Sequence, residues 1–98
     1  MKWTKPVGMD RSRALTIACQ EAKAEALVAM NKWPNFHSVH EGYAVLLEEL
    51  DELWFEAKQK DVNLDKLRIE IIHVAAMALR FAAELTPPSP LTEKVVLS

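Results

Sequence analysis

Ninety-eight residues, half of them hydrophobic, suffice for one small globular domain. Fourteen Asp and Glu outnumber twelve Lys and Arg, and a formal charge of -2 excludes the basic footprint that a nucleic acid or an anionic membrane requires. The single cysteine cannot form an internal disulfide, "MKWTKPVGMD" has no apolar signal region, and no apolar run approaches the about 18 residues of a membrane span; together these predict a soluble, cytoplasmic chain.

Only two glycines, Gly8 and Gly42, and a near absence of alternating apolar residues predict an all-α fold without internal repeats. The first helix starts after Asp10, an N-cap residue, and runs to about residue 31. Its stripe of Leu15, Cys19, Ala22, Ala26 and Ala29 is mostly small, which lets another helix approach closely and makes Cys19 a packed position. "KWPNFHSVHE" interrupts the pattern, because Pro34 biases Trp33 away from helix and Ser38 with Glu41 reads as a capping box. His37 and His40 cap the next helix or face solvent. Trp33 and Phe36 either close the bundle end as an apolar lid or offer rings to a nucleotide base.

The second helix spans about residues 39 to 60. Tyr43, Leu46, Leu50, Leu53, Trp54 and Ala57 recur at steps of three and four and predict its core side, with Trp54 in the core. "DVNLD" is a polar connector rich in cap formers, and the third helix runs back antiparallel over about residues 64 to 85, ended by Thr86, Pro87, Pro88 and Pro90. At about 100° per residue, Lys66, Glu70, His73, Met77, Arg80 and Glu84 share one narrow arc of this helix. Ile69, Ile71, Ile72, Val74, Ala75, Ala78, Leu79 and Ala82 cover nearly all the rest. A helix so widely apolar needs more neighbours than one chain provides, which predicts a homodimer or homotetramer. The tail over 86–98, "TPPSPLTEKVVLS", is either disordered or a strap over a partner through Val95, Val96 and Leu97.

The chemistry concentrates in "HEGYAVLLEELDELWFEAKQK". Glu41, Glu48, Glu49, Asp51, Glu52 and Glu56 precede the first lysine, Lys58, and all but Asp51 fall within about 100° of arc. Like charges four residues apart cost a few tenths of a kcal/mol each. Either this face is simply solvated, or a cation sits on it. A divalent ion would convert the repulsion into attraction, with Glu49 and Glu52 reaching one ion and Glu70 and His73 forming a matching pair in the third helix's polar arc.

"EELDE" at Glu48 to Glu52, a spacer of seventeen residues, and "EIIH" at Glu70 to His73 resemble the EExxE, spacer, ExxD signature of the all-α NTP pyrophosphohydrolases, the MazG-like superfamily. The similarity covers about residues 38 to 85. It implies a MazG-like bundle completed by oligomerisation, a Mg²⁺ or Mn²⁺ cofactor, and hydrolysis of a nucleoside triphosphate to monophosphate and pyrophosphate. By position, Glu49, Glu52 and Glu70 would be metal ligands, His73 would stand where the family has its aspartate, and Glu48 would orient or deprotonate the attacking water. The imidazole suits Mn²⁺, Zn²⁺ or iron better than Mg²⁺. The family commonly places phosphate-contacting Lys, Arg or Asn beyond its ExxD helix, whereas here only Lys94 follows, so Lys32, Trp33, Lys66 and Arg80 become the candidate substrate contacts.

Three alternatives stay open. A non-catalytic relative could sense nucleotide or serve structure alone, His73 could be a buried histidine bonded to a glutamate, and a dimer could unite two Glu-x-x-His motifs into a carboxylate-bridged di-iron site.

Overall fold

A computed structural model describes residues 9–89 and places them in three helices, α1 (Arg11–Lys32), α2 (Val39–Ala57) and α3 (Leu64–Leu85), with no strand among the described residues. Each start is fixed by a side-chain cap. Asp10 accepts from the Arg13 amide at 2.7 Å, Ser38 from the Glu41 amide at 3.1 Å, and Asn63 from the amides of Asp65 and Lys66 at 3.0 and 3.1 Å. The expected capping box is modified, because the Glu41 carboxylate accepts from the His37 amide at 3.1 Å rather than from the cap residue itself. Its second oxygen lies 3.0 Å from His37 Nδ1, and that hydrogen bond holds the Glu41 carboxyl below the usual range. The second helix ends at Ala57, three residues short of expectation, since Lys58 to Asp61 are all exposed and have nothing to pack that would hold another turn.

The helices are joined up, down, up, with α3 in the middle. Contacts of Glu21 with Arg68, Glu25 with His73 and Pro34 with Arg80 climb α1 and α3 in the same direction, so these two are parallel. Glu49 beside His73 and Gly42 against Phe81 and Leu85 run in opposite senses, so α2 is antiparallel to α3. α1 and α2 each pack on α3 but not on each other. A cleft therefore opens between α1 and α2, floored by the polar arc of α3. No described helix is long and apolar enough to cross a membrane.

The core is made mostly of small residues: Ala22, Ala26 and Ala76 are buried together with Phe36, and among the described residues no large side chain is fully buried. Ala22 and Ala26 fulfil the expected stripe. Leu15 and Cys19 do not, and both are exposed. The register explains Leu15, since Glu21 is level with Arg68 and the first turns of α1 therefore project beyond the start of α3 at Leu64.

On α2 the inward stripe is Gly42, Val45, Leu46, Glu49, Leu53 and Glu56. Relative to the expected core side, the helix is turned by about a quarter of a revolution. Leu46 and Leu53 keep their place, but Tyr43, Leu50 and Trp54 face outward, and Trp54 is 63% exposed rather than in the core. Gly42 draws this stripe in because it has no Cβ. A Cβ there would come within 3.2 Å of the Phe81 ring and 3.3 Å of Leu85.

The 33–38 connector is tied to α3 by one buried cation. Arg80, 3% exposed, donates from Nε to Glu84 Oε2 at 2.8 Å, and from Nη2 to Glu84 Oε1 at 3.3 Å and to the Pro34 carbonyl at 3.2 Å. Its guanidinium lies 4.3 Å from the Phe36 ring centroid, and the Phe36 amide donates to Glu84 Oε1 at 2.8 Å. Burial pushes the Glu84 carboxyl up, but the hydrogen bonds from Arg80 and Phe36, with the charge of Arg80, outweigh it and hold it below the usual range.

Candidate metal centre

The quarter turn of α2 swings Glu49 out of the solvated acidic face and onto α3. There it meets Glu70 and His73, one turn apart in the polar arc that faces the cleft. The three offer one ligand atom each within 4.8 Å of one another. His73 Nδ1 is 3.9 Å from Glu49 Oε2 and 3.9 Å from Glu70 Oε2. These separations are too long for hydrogen bonds. Both carboxylate oxygens are fully buried and have no hydrogen-bond partner, although the side chains are 23% and 22% exposed overall.

A buried carboxylate oxygen without a donor is costly, and two of them converging on one imidazole compound the cost. Burial is the main reason that the Glu49 carboxyl is pushed up. The charges of Glu52 and Glu70 push it further, and His73 only partly opposes them. Divalent cations fit such a donor set. Two carboxylate oxygens and one neutral imidazole nitrogen are a mixed hard and borderline set, matched to Mn²⁺, Zn²⁺ or Fe²⁺ ahead of Mg²⁺.

A fourth group was not legible from the motif. Glu25 of α1 places Oε1 3.8 Å from His73 Nε2, on the ring edge away from Glu49 and Glu70. The sequence holds only a faint signal, a place at the edge of the small-residue stripe about 40° beyond Ala29, where a half-exposed glutamate is ordinary.

The remaining candidates are distributed around this centre. Glu52 is exposed and outside the trio, though near enough to Glu49 for its charge to be felt. Glu48 is exposed and also outside it. Trp33, 60% exposed, lines a groove of about 380 Å³ between α1 and α2 together with Phe36, Val45, Glu49, Met77 and Arg80. Phe36 forms the lid, edge-on to Phe81 with ring centroids 6.3 Å apart. Arg80 reaches the groove, but its guanidinium is largely engaged by Glu84 and Pro34, so its first role is structural. Lys66 lies by the 58–63 connector, in a hollow shared with Glu56, Gln59, Lys60 and Asp61, and Lys32 is exposed at the end of α1. Val95, Val96 and Leu97 lie outside the described residues.

No family model, curated protein or solved structure matches this chain, so the MazG-like resemblance rests on its motifs alone.

Proposed function

We propose that this chain is a MazG-like, metal-dependent hydrolase that cleaves nucleoside triphosphates to monophosphate and pyrophosphate, holding a divalent ion with Glu49, Glu70 and His73. The observation that carries the metal is the pair of buried, unpartnered oxygens, Glu49 Oε2 and Glu70 Oε2, converging with His73 Nδ1. The reaction rests on the spacing of "EELDE" and "EIIH".

Glu25 has a defined part in this reading. With an ion held at Nδ1 the ring proton would stay on Nε2, where the Glu25 carboxylate, 3.8 Å away and beyond hydrogen-bond distance, favours it through its charge. Glu52, one turn beyond Glu48, adds negative charge without being enclosed, and either carboxylate can orient a water and accept its proton. A divalent ion bound here supplies charge neutralisation for phosphate oxygens and acidifies its water. Beside Glu49, the groove lined by Trp33, Val45 and Met77 offers apolar surface to a nucleotide base.

Pyrophosphate release from a panel of nucleoside triphosphates with Mn²⁺ or Mg²⁺ tests the proposal. Turnover that disappears in Glu49→Gln supports it. Metal uptake without pyrophosphate release from any nucleotide refutes the reaction and favours a second reading, a metal-binding module without turnover. That reading draws support from Arg80, the buried cation of the arc, being engaged by Glu84 and Pro34.

A further inference from the structure

The single chain leaves a row of large apolar side chains on α2 uncovered. Val39, Tyr43, Leu47, Leu50 and Trp54 form one seam along four turns of α2, Tyr43 and Trp54 being 60% and 63% exposed. The seam lies on the flank of α2 away from the cleft, beside the exposed row Ile71, Ala78 and Ala82 of α3. Glu48 and Glu52 point to the other flank, and of the acids of α2 only Asp51, exposed beside Leu47 and Trp54, borders the seam.

We propose that this α2 seam is the self-association surface, and that a second copy packs its own α2 antiparallel across it, with a two-fold axis passing between Leu47 and Leu50. Spacing gives the direction. Tyr43, Leu47, Leu50 and Trp54 are separated by four, three and four residues, a pattern that reads the same both ways. Steps of four and three are those of a seam of interlocking helices. Antiparallel pairing matches each residue to a counterpart, Leu47 to Leu50 and Tyr43 to Trp54, and it also pairs the helix dipoles favourably.

The area is sufficient for a stable dimer. The five residues expose roughly 600 Å² per chain, so that with the adjoining row of α3 two copies offer at most about 1,600 Å² in total, the standard size of a specific interface. The result is a four-helix core of α2, α3 and their copies, which would provide the large-residue interior missing from one chain. No metal is needed for this contact, so its failure is separable from failure of the hydrolase proposal.

Sedimentation equilibrium of the full chain at micromolar concentration is expected to give twice the chain mass of 11.1 kDa. Leu50→Glu should give a monomer that keeps its helical circular dichroism, whereas Leu27→Glu, at an exposed site on α1, should remain dimeric. The register is read by cross-linking in a Cys19→Ser background. Tyr43 and Trp54 of one helix are about 16 Å apart, beyond the roughly 7 Å between Cα atoms that a disulfide allows. Oxidation of Tyr43→Cys/Trp54→Cys should therefore link two chains, and neither single variant should do so. A monomeric wild-type chain, dissociation by Leu27→Glu but not by Leu50→Glu, or linkage by the single variants would each overturn the proposal.

Discussion

Replacing Glu70 by Gln keeps the shape of the candidate metal centre and removes one of its charges, which should move stability in opposite directions with and without metal. The ligand atoms of Glu49 and Glu70 lie within 4.8 Å of one another. At an effective dielectric constant of about 20, two full charges at that distance repel by roughly 3 kcal/mol. Partial exposure of both side chains and the upward push on the Glu49 carboxyl reduce the expected relief to roughly 1 kcal/mol. In chelator, Glu70→Gln should therefore melt about 4–8 °C above wild type, as that energy implies for a domain of this size. Added Mn²⁺ should reverse the order. At about a hundred times the dissociation constant, binding stabilises the wild type by about 2.7 kcal/mol, while the variant, short of a charged ligand, gains little. Melting followed by circular dichroism in chelator and in Mn²⁺ measures both. A variant less stable than wild type in chelator, with the same response to Mn²⁺, would refute the reasoning.

Arg80→Met should destabilise the fold by about 3–5 kcal/mol, because Glu84 would be left buried without its cation, and chemical denaturation measures the loss. The depressed Glu84 carboxyl sets a pH dependence: its contribution is complete above the ordinary glutamate value and lost as pH falls through the lower folded value. Acid unfolding below about pH 4.5 should therefore be shallower in Glu84→Gln once its lower starting stability is allowed for. Gly42→Leu should cost about 1–3 kcal/mol, since even a Cβ meets the Phe81 ring at 3.2 Å, and a lowered melting temperature would register it. Asn63→Ala should cost about 1 kcal/mol by leaving the first amides of α3 without their cap, again read by denaturation.

Helix positions were legible from local signals. Asp10, Ser38 and Asn63 announce their roles by type and place, and the prolines after Leu85 leave the third helix nowhere to continue. The pairing of Glu70 with His73 was also legible, because both fall in the arc that gathers most of the polar side chains of an apolar helix. The rotation of α2 was not. Its apolar residues spread around two adjoining flanks, and periodicity cannot tell the flank that packs on α3 from a flank suited to another molecule. The deciding residue is Gly42, whose missing Cβ adds nothing to a hydrophobic pattern yet lets Phe81 and Leu85 come close. Arg80 was misleading for a related reason. A cation in the same arc as the metal ligands reads as a phosphate contact, but Glu84 four residues on and the Pro34 carbonyl hold it, and the latter depends on how the connector folds back.

The most direct test of the central proposal is whether the chain takes up Mn²⁺ through a histidine nitrogen. Equilibrium binding should find one ion per chain, and electron–nuclear resonance of the bound Mn²⁺ should detect nitrogen coupling that disappears in His73→Ala. No uptake at millimolar Mn²⁺, or uptake unchanged by both Glu70→Gln and His73→Ala, would contradict it.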